Sequence, residues 1–137
     1  MKKQTGIWID TKKAMIVFLE ENDYTIRIIN SGMESRVRIP GEVKWFTRFA
    51  NQYLNFEKKK ENRRSNEIRN YLKNVVNEIR NAEELVLFGP AGMKTELEKM
   101  IQNDPVLSRV ISGVETADSM TENQIVAWVK NYYQKRN

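Results

Sequence analysis

The chain contains no cysteine and no histidine. The first absence excludes disulfides, thiolate catalysis and cysteine-ligated zinc or iron–sulfur clusters. The second removes the commonest general base and the commonest transition-metal ligand. No run of about 18 apolar residues occurs, so no membrane-spanning helix is expected. The amino end, MKKQTGIWID, is basic but lacks the apolar stretch of a secretory signal, and a cytoplasmic location is the expectation. Charge of one sign is not in great excess. The net +5 allows nucleic acid or an acidic surface as a partner without demanding one, so the placement of the cations matters more than their sum.

What is present is ordinary for a globular protein: 40% apolar and 30% charged residues in a chain of 137. That length builds about one domain, taken as 1–137. Gly6 to Glu20 holds two apolar runs split by Asp10, Thr11, Lys12 and Lys13, the pattern of a β-hairpin. Tyr24 to Asn30 alternates as a third strand, and Ser35 to Ile39 could extend the meander as an edge piece. The spacing of Val43, Trp45, Phe46, Phe49, Tyr53, Leu54 and Phe56 favours a helix packed on the sheet. Glu57 to Glu67 has no apolar residue, whereas Ile68, Leu72, Val75, Val76 and Ile79 define an amphipathic face. The two stretches read as one long helix with a solvated amino half. Leu85 to Phe88 is a buried strand, broken by Gly89-Pro90-Ala91-Gly92 and followed at once by a helix through Ile101. A helical turn and a strand at about Arg109 to Val114 come next, and Thr121 with Gln124 marks a capping box for a last helix. The order β-β-β-α-β-α-β-α predicts an α/β fold with a mixed five-stranded sheet and helices on both faces, as in ribonuclease H-like proteins.

Three sites are readable. A two-metal nuclease of this topology needs several carboxylates around ions about 4 Å apart. Asp10 ends the first strand suitably, but Gly89-Pro90 stands where a second acid belongs. Glu67, Glu78, Glu115 and Asp118 have no recognisable spacing. Asp10 then reads as a turn residue, and neither a metal nor a cofactor is expected. The second site is a candidate anion-binding turn, Gly89, Gly92 and Lys94, at a strand-to-helix junction. It is not a P-loop, because two residues separate the glycines, and the plain alternative is a tight turn. The third is the basic run Lys58, Lys59, Lys60, Arg63 and Arg64, continued by Arg69 and Lys73. On a helix, cations at spacings of 3 and 4 line up along a phosphate backbone, and Tyr53 and Phe56 offer stacking surfaces. Interspersed Glu57, Glu61 and Glu67 are compatible with a merely solvated face.

Four segments carry a family resemblance: GIWIDTKKAMIV, KKKENRRSNEIRNYLKNVVNEI, LVLFGPAGMKTELEKMI and VETADSMTENQIVAWVKNYY. Together they resemble small single-domain bacterial proteins, themselves similar to the middle domain of archaeal and eukaryotic class 1 peptide-chain release factors and of Pelota. The resemblance implies the translational machinery component fold and a partner in RNA or the ribosome. Release factors of that family present a Gly-Gly-Gln loop to the peptidyl-transferase centre. Here the corresponding interval, Ser31 to Phe56, has no Gly-Gly-Gln, and Gln52 stands without flanking glycines. Termination chemistry is therefore not expected, and the chain reads as a non-catalytic binding protein. Relatives usually carry Gly, Ser and Pro in this interval, so its aromatic character is a departure. A rival reading has segment 43–56 docking a protein partner or a second copy.

Overall fold

A computed structural model describes residues 3–32, 65–90 and 92–136. Five strands form one sheet in the order β3-β2-β1-β4-β5. They are β1 (Gln4–Ile9), β2 (Lys13–Leu19), β3 (Tyr24–Asn30), β4 (Glu84–Gly89) and β5 (Ile111–Thr116). β1 pairs antiparallel with β2 and β2 with β3, while β4 runs parallel to both β1 and β5. The sheet is therefore mixed, as the element order requires. β1 lies at its centre and is buried along its whole length. A chain that must be covered on both faces needs apolar side chains at successive positions, which Ile7, Trp8 and Ile9 supply.

Among the described residues three helices cover the sheet: α1 over residues 65–78, α2 (Met93–Gln102) and α3 (Glu122–Arg136). Strand alternation divides the core in two. Ile7, Ile9, Ala14, Ile16, Leu85 and Leu87 point to one face, where they meet Leu72, Val75, Val76 and Ile79 at and just after α1, and Leu97 and Ile101 of α2. Trp8, Met15, Val17, Val86 and Phe88 point to the other and pack under Ile125, Val126, Val129 and Tyr133 of α3. Trp128 extends this second layer by stacking on Phe88, with ring centroids 3.8 Å apart and planes inclined by 8°. Among the described residues no helix is long and apolar enough to cross a membrane.

Local chemistry explains the element ends. The Asp10 carboxylate accepts the backbone N–H groups of Lys12 (2.8 Å) and Lys13 (2.9 Å), which closes the first hairpin. The last strand begins two residues later than the sequence pattern suggests. Asp104 accepts the N–H groups of Val106 and Leu107, which holds Leu107–Arg109 in a 3₁₀ turn and delays β5 to Ile111. The hydrogen bond from Leu107, ahead of the others, also holds the Asp104 carboxyl below its ordinary acidity range. β5 then carries a bulge, because Leu85 aligns with Ile111 but Val86 with Gly113. Ser112, the extra residue, donates its hydroxyl to the Leu85 carbonyl at 3.0 Å.

The expected capping box at the start of α3 is formed. Gln124 N–H donates to Thr121 Oγ1 at 3.2 Å, and Thr121 N–H donates to Gln124 Oε1 at 2.9 Å. We expect Thr121→Ala to destabilise the fold by about 1 kcal/mol, read as a lower urea midpoint with an unchanged slope. No loss would mean that the cap contributes nothing. Segments 35–39 and 43–56, read above as an edge strand and an aromatic helix, lie outside the described residues.

Candidate nucleic-acid interface

The amphipathic pattern of α1 decides what the helix shows to solvent. Tyr71, Leu72, Val75, Val76 and Ile79 are buried against the sheet, and Ile68 is half-buried. The opposite face consists of Ser65, Asn66, Arg69, Asn70, Lys73, Asn74 and Asn77, continued by Arg80 and Asn81 in the turn after the helix, all exposed. No acid belongs to that set. Glu67 and Glu78 sit at its margins, half-buried, and Glu78 is held by Arg27 at 3.0 Å. Arg80 is tied to Asp104 at 3.0 Å, so Arg69 and Lys73 are the cations this face presents most openly. Lys58, Lys59, Lys60, Arg63 and Arg64, the rest of the predicted basic run, lie outside the described residues.

The asparagines belong to this surface although a search for cation runs passes over them. Asn66, Asn70, Asn74, Asn77 and Asn81 recur at helical spacing, which is the signal that reveals them. Amides carry no charge, but they offer both donors and acceptors to phosphate, sugar and base edges.

The other two sites resolve differently. Gly89 and Gly92 have φ of 136° and 105°, in the left-handed half of backbone space, and together re-aim the chain from β4 into α2. Lys94, considered above as an anion ligand, is buried at 6% exposure. Its ammonium donates to Thr116 Oγ1 at 2.9 Å and to the Glu115 carbonyl at 3.3 Å, so it ties α2 to the end of β5. The Asp10 carboxylate serves its turn, and Asp10 also receives the Tyr71 hydroxyl on its carbonyl at 3.1 Å. Among the described residues no group of three acidic side chains is placed to hold a metal ion.

No protein-family model and no curated protein matches this chain. Solved structures do. Archaeoglobus fulgidus Pelota superposes with a TM-score of 0.50 over 95% of the chain at 12% identity. The archaeal translation termination factor aRF1 does so with a TM-score of 0.52 over 96%, also at 12% identity. The fold is that of a release-factor domain. The chain covers 31% of the Pelota chain and 39% of the aRF1 chain, so the likeness concerns about a third of each factor. In this release-factor-domain-like fold, α1 lies on the same sheet face as α2, and among the described residues α3 is the helix on the other. The basic and amide-bearing side of α1 is thereby turned away from the core.

Proposed function

We propose that the protein is a non-catalytic, cytoplasmic binding protein that associates with RNA or the ribosome through the outward face of α1. Arg69 and Lys73 contact phosphates, assisted by the asparagine ladder and by Lys58, Lys59, Lys60, Arg63 and Arg64 from the preceding segment. The observation that carries the reading is the exposed side of α1, on which cations and amides follow one another without an acid. Such a surface attracts a phosphate backbone by releasing condensed counterions and does not itself read sequence. The fold it shares with translation factors supports the same partner class.

Filter binding to single-stranded RNA and ribosome co-sedimentation, each across a salt series, test this. Affinity should fall steeply with salt. Arg69→Ala with Lys73→Ala should make the log–log slope shallower by about 0.7 for each phosphate no longer neutralised. Extending the change to Lys58, Lys60, Arg63 and Arg64 should abolish binding at physiological salt. Binding that ignores salt, or survives all six substitutions, would sink the proposal.

A second reading rests on β3. Among the described residues this strand ends the sheet, and Ile28 (48%) and Tyr24 (37%) are the large apolar residues it leaves exposed. Exposed edges of this kind recruit another strand, from a protein partner or a second copy. Sedimentation velocity separates the readings: a concentration-dependent dimer abolished by Ile28→Lys favours it, and a monomer at all concentrations removes the second-copy version.

A further inference from the structure

At the end of the sheet where β1 begins, a cleft of about 410 Å³ opens between the β2–β3 turn and the carboxyl-terminal part of α3. Gln4 and Leu19 form its floor, and Glu20, Glu21, Asn22 and Asp23 form one wall. Lys130, Tyr133 and Gln134 form the other. The turn is closed by Glu20 N–H donating to the Asp23 carbonyl at 2.9 Å. The Lys130 ammonium stands at the rim, 4.7 Å above the Tyr24 ring.

Gln4 is the unusual member. It is only 8% exposed, and its amide makes no hydrogen bond among the described residues. No fully enclosed side-chain polar atom lacks a partner, so what remains open of this amide faces the cleft. The amide meets solvent only there, so a ligand in the cleft can supply the hydrogen-bond partner that the protein does not. Tyr133 cannot donate to the amide oxygen, because its hydroxyl proton is given to the Thr5 carbonyl at 2.7 Å.

We propose that this cleft binds a guanidinium group. Among the described lining residues three carboxylates accompany one ammonium, a negative balance on a protein whose total charge is positive, which favours a cation over an anion. The acids do not converge as a metal ion demands, which suits a wider organic cation. A guanidinium carries five donors and no acceptor in a planar fork. It can reach the Gln4 amide oxygen on the floor while pairing with the carboxylates of the turn. Glu20 already accepts the Thr25 hydroxyl on Oε1 at 3.0 Å, and Asp23 the Tyr24 N–H on Oδ1 at 2.8 Å, which positions both carboxylates. The group can come from a free arginine derivative or from an arginine side chain on another polypeptide.

Titration followed by ¹H–¹⁵N NMR tests this, with agmatine as the free cation and acetyl-arginine-amide as the side-chain mimic. Saturable shifts should appear at the side-chain amides of Gln4, Asn22 and Gln134, with a Kd of about 1 mM. Tighter binding of agmatine identifies a free cation as the source, and tighter binding of the capped arginine identifies a polypeptide. Glu20→Gln, Glu21→Gln and Asp23→Asn together should weaken binding about tenfold. These exposed positions keep their turn-forming oxygens, so the fold is not at risk. Gln4→Leu should weaken it further, with amide dispersion reporting whether that variant folds. The proposal fails if neither cation saturates the shifts, if the neutral citrulline analogue binds as well, or if the triple variant binds unchanged.

Discussion

Gly89→Ala is expected to lower stability by about 3–5 kcal/mol, a large part of the 5–15 kcal/mol that holds a typical domain together. Two effects add. At φ 136° an L side chain is strained. A Cβ there would also stand 2.6 Å from the Ile9 carbonyl oxygen and 3.2 Å from its nitrogen. Those atoms belong to the central strand, so relief requires parting β1 from β4. Gly92→Ala is the matched comparison: its φ of 105° is also unfavourable, but nothing lies within 4 Å of the added carbon. We expect it to cost about 1–2 kcal/mol, the strain alone. Urea unfolding of the two variants reads the difference directly. If Gly89→Ala cost no more than Gly92→Ala, the close approach of β1 would not be a constraint.

Alkaline pH is expected to unfold the protein through two tyrosines. Tyr71 and Tyr133 are almost fully buried, at 2% and 1% exposure. Burial, before any other influence, pushes both phenols far above their ordinary acidity, and for Tyr71 the negative charge of Asp10 adds to it. In the unfolded chain each loses its proton near pH 10. Above that pH the folded state binds more protons than the unfolded one, so stability falls as pH rises. Below pH 10 both states hold the proton and the stabilisation is complete. Each tyrosine contributes a slope of about 1.4 kcal/mol per pH unit above 10, or about 2.7 together, until the folded phenols ionise. Urea midpoints at pH 9 to 11.5 should trace this decline. Tyr71→Phe with Tyr133→Phe should flatten it, at a cost at neutral pH of about 1 kcal/mol for each hydrogen bond removed from Asp10 and Thr5. An equally steep decline in the double variant would assign the alkaline sensitivity elsewhere.

The legible parts of the molecule are those governed by local periodicity. Val86 and Phe88 announce a buried strand because both faces of β4 are covered, and Thr121 with Gln124 announces a helix start because the cap is made within four residues. Ile68 to Ile79 likewise show which side of α1 is buried. The start of β5 departs from the pattern for a comparable local reason, since the two N–H bonds at Asp104 outweigh the strand preference of Val110.

Sequence by itself determined the element order, the mixed sheet and the absence of cysteine and histidine chemistry, because these depend on composition and on spacings of two to four residues. Tertiary structure alone decided the use of side chains whose partners are far along the chain. Lys94 reads as a free cation beside a glycine turn, yet Thr116, 22 residues on, takes its ammonium. Gln4 reads as an ordinary strand residue until α3 and the Glu20–Asp23 turn close a cleft over it. Burial and charge balance at such points are sums over distant elements, and no short stretch of sequence contains them.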